Sequence, residues 1–253
     1  MIEVKHLSKR FGKTQVLSDI SAVFEKGCVN QIIGKSGSGK SVLCKCIVGL
    51  FVPEEGEVLY DGRSFHILEK EQKREVRQEI GMLFQSSALF DSLTVLENVL
   101  FPLRMFATMG ESEMLDRAHL CLKRVNIEGK EKLYPSEISG GMQKRVGIAR
   151  AIAMNPKYLF VDEPNSGLDP QTSIVIDNLI NELTAEYGMT TIMITHDMNS
   201  VMEAGDNILF IHEGKAWWQG TRQELLDSEN PELNAFIFAS GLMRKVKEGM
   251  RKG

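Results

Sequence analysis

A glycine-rich octet follows a short apolar run and has the composition of a phosphate-binding loop. The run is Val29–Ile33, and the octet is Gly34-Lys35-Ser36-Gly37-Ser38-Gly39-Lys40-Ser41. Glycines allow backbone N–H groups to surround phosphate oxygens, while Lys40 supplies a positive charge and Ser41 a hydroxyl ligand for Mg²⁺. A plain glycine-rich turn is the alternative. The predicted strand before the octet and the apolar helix after it favour phosphate binding.

Two adjacent carboxylates, Asp162 and Glu163, follow the apolar strand predicted at Leu159–Val161. At the end of a buried strand, one carboxylate can hold Mg²⁺ while the next faces a terminal phosphate. Taken alone, such a pair is equally consistent with a solvated strand end. Thr195-His196-Asp197 ends the next predicted strand in a similar way. His196 can contact phosphate or orient the acid, although a lone histidine there is more often structural.

The segment Ser139-Gly140-Gly141 precedes a helix whose predicted buried face contains Met142, Val146, Ala149 and Ala153. A serine and two glycines at a helix start expose N–H groups and the positive end of the helix dipole to an anion. An ordinary helix cap explains the same residues. The two interpretations are compatible.

Strand and helix patterns alternate along most of the chain and predict an α/β fold. Short strands are predicted at Ile2–Leu7 and Val16–Phe24, and another at Ile80–Phe84 before Gln85. Residues 86–150 read as an inserted helical subdomain, with a capping pair at Thr94 and Glu97. We therefore expect one domain over residues 1–253, with antiparallel N-terminal strands and a mostly parallel sheet flanked by helices.

Composition limits the classes of function. The 253 residues carry a net charge of −4, which gives no overall attraction to nucleic acid. The four cysteines, at positions 28, 44, 46 and 121, lack the spacing of a zinc site, so we expect buried free thiols rather than a metal or redox site. Residues 1–6 lack the apolar core expected of a signal peptide, and no run of eighteen apolar residues occurs, so we expect that the chain does not itself cross a membrane. The basic tail Met243–Gly253 is predicted to be solvated or frayed.

Over essentially its whole length the chain resembles the ATP-binding cassette (ABC) family, the ATPases of membrane transporters. The resemblance lies in the order and spacing of several motifs: the phosphate loop, Gln85, the helical insert, Ile138-Ser139-Gly140-Gly141-Met142-Gln143, Asp162-Glu163, Ser166-Gly167-Leu168-Asp169 and His196. It implies binding of ATP and Mg²⁺ and hydrolysis of the nucleotide.

The resemblance also implies a role for each site residue. Phe11 would stack on adenine, although a lone aromatic after a strand is often a packing residue. The octet Gly34–Ser41 would hold the phosphates through its backbone and Lys40. The metal would be held, directly or through water, by Ser41, Gln85 and Asp162. Glu163 would polarise the attacking water, and His196 would complete the catalytic group with Gln85.

The resemblance implies that Ser139, Gly140 and Gly141 bind the terminal phosphate held by an opposite subunit. One chain carries one set of motifs, so the resemblance implies a homodimer with two composite sites. Ile138 stands where leucine is common, and Met142 stands where glutamine is usual, with Gln143 displaced by one position. The serine and both glycines are retained, so we expect hydrolysis to be intact.

The stretch from Gly81 to Val95, together with Met142, is similar to the MlaF-type ATPases. That resemblance implies phospholipid traffic between the membranes of a diderm bacterium, on the cytoplasmic face of the inner membrane. It also implies an MlaE-like permease and a substrate-binding Mce-domain protein as partners.

Other functions share many of the same motifs. Amino-acid importers and lipoprotein-release ATPases are similar transport motors, and a soluble ABC ATPase of iron–sulfur assembly is a rival from another class. A soluble ABC protein of DNA repair would carry coiled-coil arms or zinc-type cysteines, and a small-molecule kinase would not need Ser139-Gly140-Gly141 or Glu163. The apolar segment Leu100–Leu103 suits a groove that receives a permease helix, but it suits the core equally well.

Overall fold

The computed structural model describes residues 1–238, which form two compact units. The first contains residues 1–25, 30–67 and 194–238, and the second contains residues 26–29 and 68–193. The basic tail at Met243–Gly253 lies outside the described residues. Among residues 1–238, no helix is both long enough and apolar enough to span a membrane.

The strands and helices are numbered in chain order. The strands are β1 Ile2–Phe11, β2 Thr14–Phe24, β3 Val29–Ile33, β4 Glu55–Tyr60, β5 Arg63–Ser64, β6 Ile80–Leu83, β7 Tyr158–Asp162, β8 Thr190–Ile194, β9 Asn207–His212 and β10 Lys215–Thr221. The α-helices are α1 Lys40–Ile47, α2 Lys70–Gln78, α3 Val95–Phe106, α4 Glu111–Arg124, α5 Gly140–Ile152, α6 Pro170–Tyr187, α7 Met198–Ala204, α8 Arg222–Asp227 and α9 Pro231–Ile237.

Two groups of strands build the first unit. The N-terminal strands form an antiparallel sheet in the order β2-β1-β4-β5, in which Ile2 pairs with both Phe24 and Tyr60. In the second group, β3 lies parallel to β9, and β9 pairs antiparallel with β10. Every residue of β3 is buried, as expected of a strand covered on both faces. The core beside β3 and β9 is closed by apolar side chains of α7, α8 and α9.

The second unit combines the strands β8-β7-β6 with the longer helices. β6 and β7 are parallel, with Leu83 opposite Val161, so their carboxyl ends lie at the same edge. Helices α3, α4 and α5 are inserted between these two strands. The predicted capping pair begins α3, where the Thr94 hydroxyl accepts from the Glu97 N–H and the Glu97 carboxylate accepts from the Thr94 N–H.

The α/β class with antiparallel N-terminal strands, a parallel sheet and inserted helices is confirmed. Two local predictions are wrong. β6 ends at Leu83, because the chain turns at the next residue and the Ser87 N–H donates to the Phe84 carbonyl. Phe84 and Gln85 therefore lie in a turn. Cys28 is only partly buried, because it precedes β3, whereas the other three cysteines are free and buried as predicted.

Candidate active site

The glycine-rich octet forms the turn between β3 and α1. Lys40 begins α1, and its buried ammonium donates to the carbonyl oxygens of Gly34 at 2.8 Å and Lys35 at 3.0 Å. Gly39, at the cap position, offers no side chain to the first turn of the helix. The N–H groups of that turn are therefore not bonded by a cap side chain and are suited to an anion.

The hairpin between β9 and β10 braces this loop at two glycines. A Cβ atom on Gly34 would lie 2.3 Å from the Ile211 carbonyl oxygen, and one on Gly214 would lie 2.3 Å from the Val16 carbonyl oxygen. Both glycines have positive φ angles. The Gly214 N–H donates to the Ser38 carbonyl at 3.2 Å, and the Gly214 carbonyl accepts from the Ser18 N–H at 2.8 Å. A larger residue at Gly34 would clash with the hairpin, and one at Gly214 would clash with the backbone of β2.

Two hydroxyl groups of the loop fit a phosphate with its metal ion. The Ser38 hydroxyl oxygen is buried and has no hydrogen-bond partner, which is unfavourable unless a bound group completes it. A phosphate oxygen has the chemistry to do so. Ser41 is exposed in the first turn of α1 and can present its hydroxyl to Mg²⁺.

His196 lies in the first unit, between two residues held by local hydrogen bonds. The buried Thr195 donates its N–H to the Ile32 carbonyl at 3.3 Å, and its hydroxyl accepts from the Asp197 N–H at 3.0 Å. Asp197 caps α7 by accepting from the Asn199 N–H at 2.9 Å. The backbone on both sides of the exposed His196 is thus fixed while its ring reaches solvent.

Phe11 is the last residue of β1 and is 44% exposed. Its ring meets that of Phe51 edge-on, with the centroids 5.3 Å apart, and the Lys9 ammonium lies 5.2 Å from its centroid. One side of the ring therefore takes part in packing, while the exposed area suits a stacking partner such as adenine.

The acidic pair lies at the carboxyl end of β7. Asp162 is the last residue of the strand, and Glu163 follows with φ of 49°, in the left-handed region that non-glycine residues rarely adopt. Both side chains are half-buried. The left-handed conformation turns the chain sharply after the strand, and the Glu163 carbonyl accepts from the Ser166 N–H at 3.2 Å. Such strain is typical of functional positions.

The loop that follows is held to α6. Asn165 donates its amide to the carboxylate of the buried Asp177, and Asp169 caps the helix by accepting from the Thr172 N–H at 3.0 Å. Hydrogen bonds from the Thr172 hydroxyl and N–H lower the pKa of Asp169, which favours its charged form. Gln85 reaches this loop as well, since its amide donates to the Ser166 hydroxyl at 3.4 Å.

A buried lysine on α5 joins the ends of β6 and β7. Lys144 is 4% exposed, and its ammonium donates to the carbonyl of Gln85 and, at 3.3 Å, to the carbonyl of Glu163. Burial lowers the pKa of Lys144, while the carboxylates of Asp162 and Glu163 oppose that shift. No sequence motif pointed to this residue. The available signal was its helical spacing, three residues after the buried Gly141 and four before the buried Ile148.

Ser139 caps α5, as one of the two sequence interpretations expects. Its hydroxyl accepts from the Met142 N–H at 3.3 Å. Ser139 and Gly140 are exposed, whereas a Cβ atom on Gly141 would lie 2.7 Å from Thr172 Cγ2. Close packing between α5 and α6 therefore requires the second glycine, and the start of α5 faces solvent.

An apolar groove of about 630 Å³ opens on the second unit. Four phenylalanine side chains that are between 37% and 45% exposed line it: Phe84, Phe90, Phe101 and Phe106. In the segment Leu100–Leu103, the two leucines are buried while Phe101 is exposed. The two leucines therefore belong to the core, whereas Phe101 lines the groove.

Arg150 fixes one wall of this groove. Its guanidinium donates to the Ser87 carbonyl at 2.7 Å and the Ala88 carbonyl at 2.8 Å. Ser87 and Ala88 both have positive φ angles, so these hydrogen bonds hold an unfavourable backbone turn. The shape of the groove is thereby tied to α5.

Among residues 1–238, no cluster of three or more His, Cys, Asp or Glu side chains forms a metal site. Magnesium is bound in many phosphate sites by only one or two carboxylates together with hydroxyl and phosphate oxygens. The oxygen-bearing side chains of Ser41, Gln85 and Asp162 have that chemistry.

The family model for ABC transporters matches residues 17–166. The chain belongs to the ABC transporter family. It is therefore an ATPase of the ABC type. The glycine-rich loop and the acidic pair described above belong to this ABC chain.

Several ABC proteins with different named cargoes are similar to the chain. A probable ribonucleotide transport ATP-binding protein mkl of Mycobacterium leprae is 38% identical, over 93% of this chain and 68% of the relative. The methionine import ATP-binding protein MetN of Campylobacter jejuni is 37% identical, over 96% and 77%. The intermembrane phospholipid transport ATP-binding protein MlaF of Haemophilus influenzae is 37% identical, over 94% and 90%.

Solved ABC cassettes have the same fold. The dimeric cassette MJ0796 bound to ADP and Pi has a TM-score of 0.78 and 34% identity, covering 87% of this chain and 98% of that structure. CbiO1 from Clostridium perfringens, part of the ABC transporter complex cbiONQ, has a TM-score of 0.84 and 30% identity, covering 99% and 98%.

Different contacts hold the ABC motifs of the two units in place. In the second unit Gln85, Glu163 and Ser166 are joined by hydrogen bonds, directly or through Lys144. In the first unit the phosphate loop is braced by the β9–β10 hairpin, while Phe11 packs on Phe51. Gly214, Lys144 and Asp177 are supporting residues that no sequence motif identified.

Proposed function

We propose that this ABC ATPase is the motor of a phospholipid transporter and works with an MlaE-like permease and a substrate-binding Mce-domain protein. It would act at the cytoplasmic face of the inner membrane as a peripheral subunit. The proposal is supported by the MlaF relative and by the MlaF-like stretch Gly81–Val95. No role in nucleic-acid binding is proposed, in keeping with the acidic net charge.

The apolar groove supports the proposed partner. The MlaF-like stretch contributes Gly81, Met82, Phe84, Ala88 and Phe90 to the lining of the apolar groove. The stretch that resembles the MlaF-type ATPases therefore forms part of the groove, which is the proposed docking site for a partner. We infer that a helix of the permease occupies this groove, and that residues 86–150 act as a helical subdomain that receives it.

Charge indicates which permease helix fits. Arg74 and Arg77 of α2 line the groove, and both are exposed. The four exposed phenylalanines supply apolar contact area, and the two guanidinium groups favour a neighbouring carboxylate. The expected partner is thus an amphipathic helix with an apolar face and at least one acidic side chain.

For the ATPase reaction, we propose the residue roles that the ABC family implies. The octet Gly34–Ser41 binds the phosphates through its N–H groups, the Ser38 hydroxyl and Lys40, and Phe11 stacks on adenine. Ser41, Gln85 and Asp162 serve Mg²⁺, which when bound neutralises phosphate charge. Glu163 orients the attacking water, and His196 contacts the terminal phosphate.

We further propose that two copies of the chain form a head-to-tail homodimer. Ser139 and Gly140 are exposed at the start of the 13-residue helix α5, where N–H groups and the helix dipole suit an anion. A phosphate bound by the octet of a second copy is the proposed anion. The similar cassette MJ0796 is dimeric, which supports the proposal that this chain forms a dimer.

Methionine import is a second candidate function. The MetN relative is 37% identical and covers 96% of this chain, so overall similarity does not separate the two cargoes. The two functions predict different partner proteins. An amino-acid importer works with a soluble receptor for the amino acid, whereas a phospholipid transporter works with a protein that carries the lipid.

Copurification tests the proposal directly. The tagged chain is expressed in its native host, the copurifying proteins are identified, and the complex is analysed for bound lipid and ATPase activity. We expect a polytopic permease and an Mce-domain protein carrying phospholipid, with ATPase activity that depends on assembly. Recovery of an amino-acid receptor without bound lipid would favour the import function and leave the ATPase intact.

A further inference from the structure

Lys144 occupies a position that ordinarily excludes charge. It is 4% exposed, although removing an ammonium group from water is costly unless hydrogen bonds and nearby charges compensate. Here the compensation comes from the carbonyl oxygens of Gln85 and Glu163 and from the neighbouring carboxylates. An apolar residue in α5 would fill the same core without that cost, but it would not donate hydrogen bonds to these two carbonyls.

The two carbonyls belong to the two loops that carry proposed catalytic residues. Gln85 lies two residues after β6, and Glu163 lies one residue after β7, at the same edge of a parallel strand pair. Hydrogen bonds from one ammonium therefore fix the separation of both loops. They also fix the loops to α5, the helix that begins at Ser139.

The same helix holds the wall of the groove. Arg150, six residues after Lys144, donates to the carbonyls of Ser87 and Ala88 in the loop that contains Gln85. A rearrangement of that loop would therefore act on α5 at Arg150 and on Glu163 through Lys144.

We propose that Lys144 is a positioning residue for ATP hydrolysis, which holds Gln85 and Glu163 in one arrangement and connects the groove to the hydrolytic carboxylate. This inference rests on the proposed roles of Gln85 and Glu163. In this role Lys144 does not contact ATP. Its loss is therefore expected to affect the chemical step and to leave nucleotide affinity unchanged.

Two substitutions test the inference on the full chain. Lys144→Met removes the donors at similar volume, and Lys144→Gln supplies a neutral donor. Misplacement of a catalytic group by about 1 Å can cost about a hundredfold in rate, so we expect single-turnover hydrolysis to fall at least about tenfold in Lys144→Met. Lys144→Gln is expected to give an intermediate rate. Both variants should bind ATP in the absence of Mg²⁺ with wild-type affinity, because the phosphate loop is unchanged and the proposed metal contact of Gln85 is not involved.

Lys157→Met is the matched control, because Lys157 is also in the second unit but its side chain is 59% exposed and pairs with Glu79 at 2.7 Å. Its rate is expected to equal that of the wild type. A rate for Lys144→Met within twofold of the wild type would overturn the inference, as would a parallel loss of ATP affinity.

Hydrogen exchange separates positioning from general stability. In Lys144→Met, and to a smaller extent in Lys144→Gln, amides in residues 84–87 and 163–166 should exchange faster, with no change in α9. Uniformly faster exchange, or none, would overturn the inference. Glu163→Gln tests the proposed catalytic roles separately from the role of Lys144. Full activity in Glu163→Gln would refute the catalytic roles. Slow hydrolysis in Glu163→Gln together with a wild-type rate in Lys144→Met would refute only the role of Lys144.

Discussion

The amide nitrogen of Asn165 lies 2.9 Å from each carboxylate oxygen of Asp177. Asp177 is 2% exposed on α6, and Asn165 is two residues after Glu163. A buried carboxylate thus anchors the loop between the acidic pair and the Ser166–Asp169 motif. Because the loop has a strained start at Glu163, this anchor helps to hold it in place.

Asp177→Leu should lower the free energy of unfolding by about 1–3 kcal/mol, because the Asn165 amide loses its buried acceptor. It should also reduce the hydrolysis rate of the folded protein. Denaturant unfolding and steady-state ATPase assays measure the two effects. Asn178→Ala is the adjacent, exposed control, and equal losses in both variants would argue against the anchor.

Glu163→Gln should leave ATP binding intact but slow hydrolysis by about two or more orders of magnitude. The phosphate loop is unchanged, whereas the carboxylate that polarises water is lost. An ATP-loaded dimer should accumulate, and size-exclusion chromatography with Mg·ATP detects it. Single-turnover hydrolysis near the wild-type rate would remove Glu163 from the catalytic role.

Lys40→Ala should weaken ATP binding and hydrolysis together. The phosphates lose a fixed positive charge, and the carbonyls of Gly34 and Lys35 lose the donor they have in this structure. Calorimetry with Mg·ATP is the deciding measurement. Unchanged affinity and turnover would mean that the octet does not bind the phosphates.

Ser139→Arg should stop hydrolysis while nucleotide binding to the monomer is retained, because this serine is proposed to act on phosphate held by a second copy. Mixing Ser139→Arg chains with Lys40→Ala chains should restore about one intact site in each mixed dimer. The mixture is therefore expected to hydrolyse ATP faster than either variant alone. Full activity of Ser139→Arg by itself would contradict the composite site.

Phe101→Asp should prevent assembly with the permease, because it places a carboxylate in the apolar groove. Binding of Mg·ATP to the isolated chain should be unaffected. Copurification with the permease measures assembly. Leu120→Asp is the control, since Leu120 is 48% exposed on α4 and does not line the groove. Equal recovery of permease with both variants would show that the groove is not the docking surface.

The sequence alone determined the motifs whose chemistry is local. The phosphate octet between β3 and α1, the acidic pair at the end of β7 and the capped starts of α3 and α5 all depend on residues close together in the chain. The backbone geometry of each motif permits only a few residue types. The spacing and the glycine positions therefore predict these motifs without a structure.

Only the tertiary structure decided the supporting contacts. Lys144 contacts a carbonyl 59 residues earlier, and Asn207 reaches the Val23 carbonyl across 184 residues. A lysine in a helix is usually exposed to solvent. The sequence around it does not indicate which distant carbonyl groups a buried ammonium group will contact. The same holds for Leu100–Leu103, where helix packing buries the leucines and exposes Phe101 to the groove. Such pairings arise from packing between elements far apart in the chain, which local patterns do not encode.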